Sequence, residues 1–264
     1  MNLDEKRFQP SGVITRISNA KNQLQSPEDF AKQVGDFYEG KVAEIYARYE
    51  AKLQQNNALD FDDLLLLTLK LLQENEEVRT KYQDKFDYIM VDEYQDTNTI
   101  QERIVLKLAS RHHNICVVGD DDQGLYRFRG ATIRNILEFA RNFKPGECKT
   151  FYLQTNYRSH PGIIDFYNHW MQTRNWTYGG ETFRFNKVIV PREDDFADVP
   201  TVVRLSALSD EEEYHKEVLR FIRTLEERNI ITDYNQIAFL YNSVKSPKAR
   251  ALKDAFQALL YLQS

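Results

Sequence analysis

Two short apolar runs in the middle of the chain each end in acids. Phe86-Asp87-Tyr88-Ile89-Met90-Val91 runs into Asp92 and Glu93, and Ile115-Cys116-Val117-Val118 runs through Gly119 into Asp120, Asp121 and Asp122. A carboxylate pair at the tip of an apolar strand suits hydrolysis of a nucleoside triphosphate. One acid holds hydrated magnesium, and the next orients and deprotonates the attacking water. Taken alone, the same residues equally describe a strand followed by an acid-rich helix start, with Asp96 or Asn98 as the cap.

Two further segments carry candidate chemistry. After the triple acid come Gln123, whose amide can bridge to a terminal phosphate, and an alternating run, Tyr126-Arg127-Phe128-Arg129. Tyr126 and Phe128 offer faces on which unpaired bases stack, worth about 1–3 kcal/mol per base with little sequence preference. Further on, Asn156-Tyr157-Arg158-Ser159 precedes a helical pattern. An arginine there can neutralise charge developing on a transferred phosphoryl group, and Tyr157 can stack on a purine. Seen by itself, the segment reads better as a surface Arg158 beside a half-buried Tyr157.

Regular elements must carry these groups. Residues 27–56 read as a helix, with Ser26 as N-cap before Pro27 and apolar residues at Phe30, Val34, Phe37, Ile45, Tyr49 and Leu53. A second helix is expected from Asp60, and its all-round apolar stretch Leu64–Leu72 predicts burial. The two acid-tipped runs are separated by a helical stretch through Ile100, Ile104, Val105 and Leu108. That alternation predicts a parallel sheet covered on both faces, with ligands at the carboxyl ends of its strands.

A helix around Ile133–Phe143 closes this unit, and Lys144-Pro145-Gly146 marks the best boundary. Beyond it the pattern predicts a strand at 150–153, a helix from Ser159, a surface excursion over 173–199 and a strand at 202–205. A helix at 211–227, a strand at 237–240 and a last helix complete the expectation.

Composition narrows the function classes. The 264 residues are 42% hydrophobic and 28% charged, which suits about two ordinary domains. No stretch reaches the roughly 18–20 apolar residues of a membrane span, and Met1–Lys6 has no signal-like layout, so no membrane partner and a cytoplasmic setting are expected. Two cysteines exclude a disulfide framework and a cysteine-based zinc site. Lys+Arg against Asp+Glu is 8 to 8 over residues 1–58, 12 to 16 over 59–145 and 15 to 16 over 146–264. The acidic middle excludes a uniformly basic coat, so any nucleic-acid contact must be local.

The wording, order and spacing of these segments resemble the UvrD/Rep/PcrA family of superfamily 1 DNA helicases. The leading stretch Leu59-Asp60-Phe61-Asp62-Asp63-Leu64 is similar to the family's Leu-Asp-Phe-Asp-Asp-Leu stretch, although by itself it equally describes a capped helix start. The likeness is most specific over residues 58–160 and looser beyond. It implies an α/β fold of RecA-like, P-loop NTPase-type parallel sheets with an N-terminal helical segment. Residues 1–57 would end a helical insertion. Residues 58–145 would form part of a first RecA-like domain (motifs II and III), and 146–264 part of a second (motif IV).

Carried over, the resemblance implies that Asp92 binds magnesium and Glu93 is the catalytic acid of motif II. Gln123 becomes the γ-phosphate sensor of motif III, Tyr126 and Phe128 contact single-stranded DNA, and Arg129 couples the two sites. Tyr157 would stack on adenine and Arg158 would contact the γ-phosphate. Phe128 stands where tryptophan is common, and Gly124 where serine is usual. ATP, Mg2+ and single-stranded DNA are the implied cofactors and partners, with 3′ to 5′ movement.

The family's Walker A loop is not found. Gly35-Asp36-Phe37-Tyr38-Glu39-Gly40-Lys41-Val42 has the G-x-x-x-x-G-K spacing but ends in Val42, which has no hydroxyl for magnesium, and it lies in a helical pattern. The expectation is therefore an internal helicase section without the Walker A loop and the late C-terminal motifs, ATPase-inactive alone, either a split-gene product or a chain completed by a partner that supplies the Walker A half. The alternative is a non-hydrolysing module that binds single-stranded DNA or a partner. Ten glycines in the whole chain fit a section without the glycine-rich loop.

Overall fold

The computed structural model describes residues 6–124, 130–192, 201–204 and 211–261. The chain forms two compact units, Met1–Gln154 with Gln172–Val188, and Thr155–Met171 with Ile189–Ser264.

The first unit opens with helix α1 (Pro10–Asn22), unanticipated from the sequence, whose Val13, Ile17 and Ala20 are buried on one face. The helix expected over 27–56 is two helices, α2 (Pro27–Lys32) and α3 (Phe37–Gln55). The break falls between Gln33 and Asp36, where Asp36 caps α3 by accepting the Glu39 N–H at 2.8 Å. The G-x-x-x-x-G-K spacing is thus spent on this cap and the first turn of α3. Val42 is fully buried beside Ile17 and Tyr46, and Lys41 pairs with Glu44.

Helix α4 (Phe61–Glu74) starts at a capping box in which the Asp60 side chain accepts from Asp63 N–H and the Asp63 side chain accepts from Asp60 N–H. Contrary to expectation it is buried on one side only, at Leu69 and Leu72. Leu64, Leu67 and Leu71 form an exposed stripe, because the packing of α4 is against α1, α5 (Glu76–Lys85) and α6 (Thr99–Ala109).

The strands β1 (Ile89–Val91) and β2 (Ile115–Val117) pair in parallel, with Met90 opposite Cys116. This is the predicted α/β arrangement, and both strands deliver their acids at the same end. Met90 is 78% exposed and Cys116 is exposed, so among the described residues the pair is covered on one face rather than two. Helix α7 (Arg134–Leu137) and a following 3-10 turn at Phe139–Asn142 occupy the helix expected over 133–143.

A polar spine ties these elements together. Lys21, 1% exposed, reaches Glu50, Asp60 and Asp63 at 2.7, 2.8 and 2.7 Å. Its neighbour Asn22 donates to Asp62 at 3.0 Å and accepts from Asn98, the N-cap of α6, at 2.7 Å. Asn135 on α7 donates to the carbonyls of Thr97 and Asn98. The first turns of α4 and α6 are therefore fixed to one another through the end of α1.

The expected surface excursion is partly structured. A hairpin of β4 (Thr177–Tyr178) and β5 (Glu181–Thr182) is followed by Arg184, which is buried.

In the second unit β3 (Thr155–Asn156) pairs in parallel with β6 (Val190–Pro191), and helix α8 (Pro161–Gln172) follows β3. Helices α9 (Glu211–Glu227) and α10 (Pro247–Tyr261) pack through Val218, Ile222 and Leu252. The runs at 150–153 and 237–240 are not strands; Leu153 and Leu240 stand exposed without pairing partners. Of the strand expected at 202–205, residues 202–204 are not a strand and Leu205 lies outside the described residues. No helix among the described residues is long and apolar enough to cross a membrane.

Candidate functional site

Asp92 and Glu93 leave β1 into a 3-10 turn, Tyr94–Asp96. Glu93 is left-handed, φ +50°, ψ +42°, which costs a non-glycine residue about 1–2 kcal/mol and is the kind of strain found at functional sites. The surroundings enforce it. Tyr94 N–H donates to the Val118 carbonyl at 2.9 Å, and the Tyr94 ring is fully buried, edge-on to Phe139. Asp92 and Glu93 remain exposed, with Glu93 N–H donating to Asp92 Oδ1 at 2.9 Å.

Behind them lies a residue that the sequence reading missed. Gln95, 1% exposed, donates from Nε2 to Glu93 Oε2 at 2.6 Å and accepts the Asp120 N–H on Oε1 at 3.0 Å. One amide thus joins the acid at the tip of β1 to the turn beyond β2. The backbone beside it has no room for a side chain, since a Cβ on Gly119 would meet Gln95 Oε1 at 2.5 Å and Tyr94 N at 3.1 Å. The available signal was a glutamine two residues past a strand-end acid, a polar group that must find partners once buried.

The turn beyond β2 carries Gln123. Its Nε2 donates to Asp120 Oδ2 at 2.8 Å while the residue stays exposed, leaving the second amide hydrogen and Oε1 for another group. Burial alone would raise the Asp120 carboxyl, but the Lys187 ammonium, the Gln123 amide and Asp122 N–H together hold it below the ordinary carboxylate range. Asp96 moves the other way, raised by burial and by the charge of Glu93, and its Oδ1 is buried without a hydrogen-bond partner.

Hydrogen bonds through Gln95 and Asp120 therefore link Asp92 and Glu93 to Gln123 within the first unit. Tyr157 and Arg158 stand in the second unit on the turn between β3 and α8, where Asn156 Oδ1 accepts the N–H groups of Arg158 and Ser159 at 2.9 and 2.8 Å. Both side chains are exposed. Tyr126, Phe128 and Arg129 lie outside the described residues.

The donor set at Asp92 suits a hydrated magnesium. Such an ion takes one or two carboxylates and otherwise keeps water, and Asp92 is an exposed carboxylate at a strand tip with one oxygen turned to the Glu93 N–H.

The description UvrD/REP helicase N-terminal domain matches residues 1–144. Among similar proteins, the ATP-dependent DNA helicase PcrA of Staphylococcus epidermidis is 37% identical over 265 residues, covering 97% of this chain and 33% of the relative. The PcrA helicase of Bacillus subtilis is 48% identical over 163 residues, 62% of this chain and 22% of the relative. That of Staphylococcus aureus is 41% identical over 202 residues, 73% and 27% of the two chains. The chain spans a third or less of the length of these relatives. With more than half of its residues inside the family match, and 37% identity to a relative across 97% of its length, the chain belongs to the UvrD/REP helicase family.

Proposed function

We propose that this chain supplies the hydrolytic acids and the phosphate-sensing amide of an ATP-dependent DNA helicase that moves 3′ to 5′ on single-stranded DNA. The observation that carries the reading is the relay Glu93–Gln95–Asp120–Gln123, through which the ends of two parallel strands act as one piece. In this reading Glu93 takes the proton of the attacking water, and Gln123 meets the terminal phosphate. Asp92 would hold hydrated magnesium, which supplies charge neutralisation on the phosphates. Arg158 meets the γ-phosphate and Tyr157 stacks on adenine. Tyr126 and Phe128 stack on bases, and Arg129 couples the nucleotide and DNA sites. Residues 1–57, 58–145 and 146–264 are assigned to a helical insertion and parts of two RecA-like domains.

Hydrolysis needs a phosphate-binding loop to seat the triphosphate against these acids. The one G-x-x-x-x-G-K spacing in the chain is a helix cap and first turn, so turnover by the chain alone is expected to be negligible. The test is a chimera in which this chain replaces the aligned segment of the Staphylococcus epidermidis relative. DNA-stimulated ATP hydrolysis by the chimera supports the reading. A folded chimera that binds single-stranded DNA without turnover refutes it, and favours a non-hydrolysing binding module.

A further inference from the structure

Three consecutive acids at a strand end are costly to bury. Asp121 and Asp122 are nevertheless 2% and 4% exposed at their side chains, and one oxygen from each of Asp120, Asp121 and Asp122 lies within 4.8 Å of the others. In a medium of reduced dielectric such a group must be matched by cations or lose its charge.

The match comes from residues 184–187, far along the chain but in the same unit. Lys187 Nζ bonds Asp120 and Asp121 and lies 3.1 Å from Asp122. Arg184 forms a two-pronged pair with Asp122, Nε to Oδ1 at 2.7 Å and Nη2 to Oδ2 at 3.1 Å. Phe185 N–H donates to Asp121 Oδ2 at 2.7 Å. This short strap closes over the turn that carries Gln123, and Asp120 is the shared member, accepting from both Lys187 and Gln123.

We propose that Lys187, seated by Arg184, is a positioning residue for Gln123: by neutralising the three acids it keeps the Asp120 carboxylate where the Gln123 amide is anchored. This rests on the proposed role of Gln123 in meeting phosphate, but the anchoring itself does not. Without the ammonium the three carboxylates repel, the turn opens, and Gln123 loses its acceptor. Arginine at 187 retains the charge and reaches the same oxygens with a different fork; methionine retains only the length.

The experiment uses the 264-residue chain without nucleotide and follows side-chain signals by nitrogen-15 NMR. In the unaltered chain the Lys187 ammonium is expected to be visible at neutral pH and slow to exchange with water. An ammonium signal lost to fast exchange overturns the proposal even if no variant folds. In Lys187→Met, with helicity unchanged by circular dichroism, the Gln123 side-chain amide is expected to move toward its solvent-exposed position and exchange about fivefold faster or more, the loss of one hydrogen bond. Lys187→Arg is expected to restore it. A Gln123 signal that stays put in Lys187→Met overturns the proposal. If Gln123 moves but Lys187→Met leaves the ATP turnover of the chimera unchanged, the strap stands and the phosphate-sensing role of Gln123 falls.

Discussion

The side-chain amide of Gln95 donates to the carboxylate of Glu93 at 2.6 Å, and its carbonyl accepts the backbone N–H of Asp120. A buried glutamine therefore spans the two strand ends that carry the candidate chemistry. Its loss leaves the partly buried Asp120 N–H without its partner, a cost toward the lower end of the about 1–3 kcal/mol of a fully buried donor. Gln95→Ala is expected to lower the stability of the chain by that amount in urea unfolding. A midpoint within error of the parent would show that the bridge does not form.

Gly119 and Gly124 flank the same turn but should respond unequally to a side chain. At Gly119 a Cβ meets Gln95 Oε1 at 2.5 Å, Ile136 Cδ1 at 2.9 Å and backbone N of Tyr94 at 3.1 Å. Gly119→Ala is expected to cost about 1–3 kcal/mol, as overpacking does. Gly124 has φ −66°, and its nearest neighbour is the tip of Ile133 at 3.3 Å. Gly124→Ser, the residue usual in the resembling family, is expected to stay within about 0.5 kcal/mol of the parent. Thermal unfolding of the two variants checks the contrast.

Lys21 is the cation of a buried cluster with Glu50, Asp60 and Asp63. Removing it leaves three acids facing one another, and breaking a buried pair from one side typically costs about 3–5 kcal/mol. Lys21→Met is expected to unfold the first unit at markedly lower denaturant, with the far-ultraviolet helical signal reporting the change. Retained stability would mean that the acids find water or protons instead.

The leading stretch Leu59–Leu64 owes its pattern to this cluster. Asp60 and Asp63 cap α4 and hold Lys21, while Asp62 holds Asn22. The helix start and the two acid-tipped strands were legible in the sequence because capping and parallel-strand patterns are local. Gln95, Lys187 and Arg184 were not, since their partners lie across the fold and a polar residue in a loop gives no sign of burial. The strands expected at 150–153 and 237–240 failed for a related reason. Apolar, β-prone runs become strands only where a neighbouring strand offers pairing, and Leu153 and Leu240 have no such neighbour among the described residues. The apolarity of α4 on all sides likewise does not reveal which side is packed, and Leu64, Leu67 and Leu71 stand exposed.

Stability should fall at both ends of the pH scale. Lys21 and Lys187 are raised above the ordinary lysine value, since their acid partners outweigh burial. A raised lysine stabilises fully below its unfolded value and loses that contribution as pH climbs through the folded one. Tyr46 and Tyr94 are raised mainly by burial, so ionisation of the unfolded tyrosines above about pH 10 also favours unfolding. Asp60 and Asp120 are depressed, because hydrogen bonds from Lys21 and Lys187 outweigh burial. Their contribution is present above about pH 4 and is lost as pH falls through their folded values. Melting temperature across pH is expected to hold a plateau between these limits. A decline centred near neutrality would contradict this assignment.

In the proposed function Glu93 acts on the water that attacks ATP. Single-turnover hydrolysis by the chimera, with single-stranded DNA present, tests it in Glu93→Gln, which keeps the shape of the side chain and removes its basicity. The rate is expected to fall by about 10²–10⁴, the usual contribution of a general base, with nucleotide and DNA binding retained. An unchanged hydrolysis rate in Glu93→Gln would remove Glu93 from the general-base role.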